Sequence, residues 1–343
     1  MDPVELVGHQ VDRLISVEPW LKLQGRLHIL QEASQHLLGM SMTYAAAKKL
    51  AGRVRAGDVI MVCTGFVVAN DNVCETDGPV GAAALARALK IGFNATPILI
   101  TDEASVSIVS AACRGMGLNL QSDAESVMGK RHAAHVMGFP LGDKESKEYA
   151  ARLLDRYKPD AVITIERPGK NIKGVHHSFR GQDISATSAK IDYLYEMARD
   201  RKVLTIGIGD VGNELGTGNI RETVLENVPY ARQCQCPCGA GTACAVNSDV
   251  VLIAAVSNWG GSGVAALLSA LTERPDVPHS GALEKRTIRE CADAGAIDGE
   301  TGRCEPTVDG ISDELHGHIV KTMAKIVESG LSLKRKEHPI PKL

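Results

Sequence analysis

The apolar positions change their period along the chain. Val7, Val11, Leu14 and Ile15 recur at helical spacing, and 27–38 and 43–54 continue in that style, so 1–56 reads as an N-terminal helical arm. Past Gly57-Asp58 the pattern becomes continuous. Val59-Ile60-Met61-Val62-Cys63 is apolar on both faces, as a strand covered by helices on both sides must be. Further strands are predicted at 96–100, 161–165, 203–208 and 250–256, with a weaker one at 135–139. Helices are predicted over 81–89, 105–114, 144–157, 184–199, 220–228, 259–271, 284–294 and 313–329. This alternation predicts an α/β fold with a mainly parallel sheet and helices on both faces. The best seams, 121–130 and 274–281, are only polar and turn-rich. The chain therefore reads as one α/β domain over 1–343, ending in a loose, solvated tail at 334–343.

Composition removes several classes of function. The 343 residues carry 38 Lys+Arg against 41 Asp+Glu, so the basic excess of a nucleic-acid binder is missing. Aromatics are 3% of the chain, too few for a stacking platform. The acidic start Met1-Asp2-Pro3 is unlike a secretory signal, and no apolar run reaches the length of a membrane span. A cytoplasmic protein with reduced thiols is expected, assembled as a homo-oligomer, with no membrane or nucleic-acid partner.

Polar residues gather where the predicted strands end, which is where open α/β sheets bind ligands. Glu75-Thr76-Asp77-Gly78-Pro79 follows the first strand, and Glu166-Arg167-Pro168-Gly169 follows 161–165. Gly209-Asp210-Val211-Gly212-Asn213-Glu214 and Ser257-Asn258-Trp259-Gly260-Gly261 follow the last two. Asp77 before Pro79 also suits a helix cap, Asn258 suits another, and Arg167 is a candidate ion-pair partner for Glu166. Gly207-Ile208-Gly209-Asp210-Val211-Gly212 matches a dinucleotide turn, but Asp210 and Glu214 would oppose a pyrophosphate. The same acids suit a hard cation with oxygen ligands. Cys234, Cys236, Cys238 and Cys244 cluster in a spacing that matches no common zinc module. A reduced, non-catalytic thiol loop is the expected reading, with zinc as the lesser alternative. His176-His177, with Arg180 and Asp183 nearby, is a candidate wall for an anionic ligand.

Together these blocks, with Arg180-Gly181-x-Asp183-Ile184 and Val308-Asp309-Gly310, resemble the C-terminal catalytic region of D-glutamate cyclase and similar single-domain microbial proteins. The resemblance implies a lyase that closes D-glutamate, or a related amino acid, to 5-oxo-D-proline and water. On the residues, Glu75 or Glu166 is the candidate general base, with Asp210 also in the catalytic group. Asp77, Asp210 and Glu214 are candidate ligands for Mn²⁺ or Mg²⁺, and Arg180, His177, Asn213 and Asn258 candidate substrate contacts. A metal-dependent phosphatase using the same acids is the alternative, and a ligand-binding sensor without turnover a third reading.

Overall fold

The computed structural model describes residues 2–19, 22–68 and 71–334. In chain order its strands are β1 (Val59–Thr64), β2 (Val67–Val68), β3 (Val73–Cys74), β4 (Thr96–Asp102), β5 (Asn119–Gln121) and β6 (Ala133–Phe139). They continue as β7 (Ala161–Ile165), β8 (Leu204–Gly209), β9 (Val250–Ile253), β10 (Thr307–Val308) and β11 (Ile311–Ser312). The helices are α1 (Pro3–Leu14), α2 (Leu27–Leu38), α3 (Met42–Arg53), α4 (Pro79–Phe93), α5 (Val106–Gly115) and α6 (Asp143–Tyr157). They continue as α7 (Asp192–Asp200), α8 (Arg221–Asn227), α9 (Ser257–Thr272), α10 (Gly281–Asp293) and α11 (Asp313–Lys334).

Seven parallel strands form the central sheet in the order β5-β6-β4-β1-β7-β8-β9. The chain winds outward from β1 through β4, then returns to the other side of β1 at β7. Connections therefore diverge at the carboxyl ends of β1 and β7, where such a reversal opens a crevice. Alternation along β1 divides the core. Ile60 and Val62 join the side built by α1, α3, α4 and α9, while Met61 and Cys63 join the side with α6 and α7. A third cluster packs Leu30 of α2 and Val224 of α8 against Val251 and Ile253 of β9. Helices α4 and α9 cross closely enough to require glycine: a Cβ on Gly261 would lie 2.8 Å from the Gly81 carbonyl oxygen.

The α/β class, the six main strands and seven of the eight later helices lie where the periodicity puts them. The helix expected over 184–199 is shortened to α7. Its first half is drawn off the helical path by a tertiary bond, the Ala189 N–H to Asp102 Oδ1 at 2.6 Å. The strand expected to reach 256 stops at Ile253, because the Ala255 N–H turns to the Ile15 carbonyl, 2.8 Å away. Edge strand β5 falls at the start of the segment read as a seam, its short polar sequence giving no alternation to detect. Among the described residues, no helix is long and apolar enough to cross a membrane. The tail expected at 334–343 lies outside the described residues, apart from the helical backbone of Lys334.

Candidate active site

Two of the polar blocks clamp one another. Asp77 Oδ1 accepts from the N–H groups of Gly78 (3.0 Å) and Asn258 (2.8 Å), and its Oδ2 accepts from Ser257 N–H (2.9 Å). It thereby caps α9 from across the sheet. Asn258 reciprocates at α4: its Oδ1 accepts from Gly78 and Gly81 N–H groups, and its Nδ2 donates to the Thr76 carbonyl. Both side chains are buried, and neither lines the cleft beside them. The capping alternatives describe their positions. The expected metal contact of Asp77 and substrate contact of Asn258 thus fall on side chains that bind the two helix ends instead of lining the cleft.

A cleft open to solvent lies at the carboxyl ends of β1, β7 and β8. Glu75, Glu166, Asp210 and Asn213 line it, as their strand-end positions require, and Arg180 joins them from the segment between β7 and α7. Glu214 lies just behind, its two carboxylate oxygens accepting from the N–H groups of Val211 (3.0 Å) and Gly212 (2.8 Å). Glu166 Oε2 accepts from Ser257 Oγ at 2.5 Å. Carboxylate oxygens of Glu166, Asp210 and Glu214 all lie within 4.8 Å of one another. Crowding of this kind disfavours ionisation. Burial and then Asp210 push Glu214 up to about 8, and burial and then Asp210 push Asp77 up to about 7. Glu166 is held well above the ordinary carboxylate range by burial and Asp210, and Glu75 by burial and Asp309.

A cation from the N-terminal arm enters this field. Lys22 Nζ lies 2.7 Å from Asp210 Oδ2 and 3.7 Å from both Glu300 Oε1 and Asp309 Oδ2. Burial opposes its charge, but Asp210, Asp309, Glu166 and Glu300 together outweigh burial and hold it protonated well above its usual range. At the mouth, Arg180 is exposed, and among the described residues no carboxylate lies within 4.0 Å of its guanidinium. Asp183 instead accepts from Ser185 N–H at 2.8 Å.

Three sequence expectations meet a different geometry. Arg167 does not pair with Glu166; it forms a forked pair with Asp102, and its other bonds go to the Gly65 and Ala189 carbonyls. His177 does not line the cleft: its carbonyl accepts from the cleft residue Asn213 Nδ2 at 3.0 Å, while its ring faces Cys236 and Cys238. His176 is paired with Asp192 at 2.6 Å, away from the cleft. Asn213 Oδ1 is buried with no hydrogen-bond partner among the described residues, so this predicted contact keeps a free acceptor at the cleft wall.

The sequence profile of the D-glutamate cyclase-like, C-terminal family matches residues 13–324. The chain belongs to that family. It is also 27% identical over 269 residues to the mitochondrial D-glutamate cyclase of Homo sapiens, a match covering 76% of this chain. The chain spans only about 38% of that relative's length. Within this D-glutamate cyclase-like chain, Lys22, Glu300 and Asp309 are cleft residues that strand-end reasoning did not find.

Asp309 had a readable signal. Asp309 and Gly310 turn the β10–β11 hairpin with φ of 52° and 71°, the double left-handed turn that Asp-Gly favours. Asp298 ties that hairpin to the neighbouring loop, accepting from Glu300 and Thr301 N–H groups on Oδ1 and from Gly310 on Oδ2. Trp259 supports it from below, donating to His316 Nδ1 at 2.8 Å, while His316 Nε2 faces the Val308 carbonyl at 3.2 Å. Lys22 had no comparable signal, because its partners are more than 180 residues away in sequence.

Proposed function

We propose that this chain is a lyase that closes D-glutamate, or a closely related amino acid, to 5-oxo-D-proline with release of water. The observation that carries this reading is the opposition of charge across one cleft. Arg180, with no carboxylate partner among the described residues, stands at the mouth, and Glu75, Glu166 and Asp210 stand at the floor. An amino dicarboxylate matches that polarity. Its α-carboxylate suits the planar fork of Arg180, and its ammonium suits the acidic floor.

Glu75 is the general base in this reading. Its raised basicity lets it take a proton from the substrate ammonium, which must be neutral to attack. The amine nitrogen then bonds to the side-chain carboxyl carbon. The nitrogen gives up a second proton as it becomes an amide, the carbon–oxygen bond breaks, and the oxygen leaves as water carrying the two protons taken from nitrogen. Asn213 is placed to orient the amine through its free Oδ1. Lys22 offsets negative charge beside the reacting carboxyl group. The donor set of Glu166, Asp210 and Glu214 is all oxygen and fits Mn²⁺ or Mg²⁺; Asp77 is not among the carboxylates that gather there. Such an ion, when bound, supplies Lewis-acid neutralisation of the carboxylate under attack.

Incubation with D-glutamate, L-glutamate and a generic phosphate ester, each with and without Mn²⁺, tests the proposal. Chiral chromatography should show 5-oxo-D-proline from D-glutamate. Phosphate release without 5-oxoproline would favour the hydrolase reading, and binding of D-glutamate without turnover would favour a sensor.

A further inference from the structure

We propose that His177, Cys234, Cys236 and Cys238 form a structural zinc site that fixes the cleft wall carrying Arg180. The four ligand atoms come from two segments distant in sequence and lie within 4.8 Å of one another. His177 Nε2 is 3.3 Å from Cys236 Sγ and 3.5 Å from Cys238 Sγ. Cys234 Sγ is 3.5 Å from Cys236 Sγ and 3.3 Å from Cys238 Sγ. A tetrahedron with zinc–sulfur bonds of about 2.3 Å has edges of about 3.8 Å, within about half an ångström of these separations. A disulfide needs sulfurs about 2.0 Å apart, and all three cysteines are free. Three thiolates and one imidazole constitute a closed structural zinc set, with no position left for substrate.

The surroundings have the features of a metal loop. Asn171 Nδ2 reaches Cys238 Sγ at 3.5 Å and the Gly241 carbonyl at 2.7 Å, a hydrogen-bond donor in the layer behind the ligands. Gly239 and Gly241 have φ of 62° and 76°, and a Cβ on Gly241 would collide with the Ala231 carbonyl. Cys244, the fourth cysteine of the sequence cluster, is not part of the set; its Sγ accepts from the Val246 N–H at 3.3 Å.

The site is joined to the cleft by short connections. The residues directly after His177 include Ser178, Phe179 and Arg180, which line the cleft. The His177 carbonyl holds Asn213, and Gln235 N–H donates to the Gly181 carbonyl at 2.9 Å. The metal therefore crosslinks the thiol loop to the segment that presents Arg180. The inference does not depend on which substrate the cleft accepts.

Metal analysis of untagged protein, purified under reducing conditions, should find about one zinc per chain. Replacement by Co²⁺ should give thiolate-to-cobalt charge-transfer bands and the intense visible bands of a tetrahedral ion, which an all-oxygen site cannot give. Cys236→Ser should lose both. Asn171→Ala should keep the spectrum but bind the ion roughly ten- to a hundredfold more weakly. Protein that binds no zinc, shows no thiolate bands with cobalt, or keeps them in Cys236→Ser would overturn the proposal. If Cys236→Ser does not fold, the cobalt spectrum of the unaltered protein decides it.

Discussion

Raising the pH should destabilise the metal-free protein, and Mn²⁺ should reverse the loss. Glu214 is lifted to about 8 and Asp77 to about 7, in each case by burial and then by Asp210. In an unfolded chain both titrate near about 4. The folded state therefore holds protons that the unfolded chain releases between about pH 4 and pH 8. Stability from these two groups is complete below about pH 4 and is lost as pH rises through 7 and 8. Each retained proton tilts stability by about 1.4 kcal/mol per pH unit, so two give at most about 3 kcal/mol per unit near pH 6. That ceiling is a large fraction of the roughly 5–15 kcal/mol available to a folded domain.

Histidines act in the opposite sense: burial lowers His177 and His316, so their contribution to stability grows as pH rises toward about 6.5. Glu214→Gln isolates the carboxyl term, since it removes one proton and leaves the imidazoles unchanged. Denaturant unfolding at about pH 5.5, 6.5 and 7.5 should give a slope for Glu214→Gln that is less negative by about 1.4 kcal/mol per unit. A cation held by Glu166, Asp210 and Glu214 displaces protons, so Mn²⁺ should bind about tenfold tighter per pH unit for each proton released. Parallel pH profiles for the two proteins, or a Mn²⁺ stabilisation equal at the extremes of pH, would refute the reasoning.

Three further outcomes are expected. Arg180→Lys should raise KM for the preferred amino acid about tenfold with little change in kcat, because one charge-assisted hydrogen bond is lost in ground and transition states alike; steady-state kinetics checks it, and an unchanged KM removes Arg180 from substrate recognition. Trp259→Phe should cost about 1–3 kcal/mol, since it strands the buried His316 Nδ1; chemical denaturation measures it, and a loss within a few tenths would mean that water replaces the indole. Glu166→Gln should stabilise the metal-free protein at about pH 8 by about 1–2 kcal/mol while lowering turnover by about a hundredfold or more. Paired melting and activity assays decide that case, and a less stable variant would show that the carboxylate is better solvated than its burial indicates.

The sheet was legible because its strands are buried on both faces, so burial alone writes continuous apolar runs such as Val59–Thr64. The strand-end rule then located Glu75, Glu166, Asp210 and Asn213 at the cleft, since parallel strands deliver their carboxyl ends to one edge. What the rule does not resolve is direction. Asp77 and Glu75 are two residues apart, yet Asp77 is turned onto the N-terminus of α9 and Glu75 into the cleft. His177 shows the same limit, its backbone and its ring serving different sites. Lys22 was illegible for another reason. Its position is set by how the N-terminal helices pack across the sheet, and no local periodicity encodes that.

The separation of Glu166 from Arg167 shows how the fold leaves a carboxyl group in its interior without the cation next to it in sequence. Neighbouring opposite charges after a strand would ordinarily neutralise one another. Here Glu166 takes φ of 43°, a left-handed conformation that costs a long side chain of order 1–3 kcal/mol and persists only where surroundings enforce it. Three contacts supply the enforcement. Glu166 N–H donates to the Ile208 carbonyl at 3.2 Å, its carboxylate accepts from Ser257, and Gly78 presses against it from α4. That approach requires a glycine, since a Cβ on Gly78 would lie 2.9 Å from Glu166 Cβ. The turn sends Arg167 to the opposite side, where Asp102 and two carbonyls satisfy its charge. Glu166 is thus left facing Asp210 and Glu214 without the cation beside it in sequence. An arrangement that breaks the local preference and gathers three buried carboxyl groups is the kind that binding or catalysis maintains.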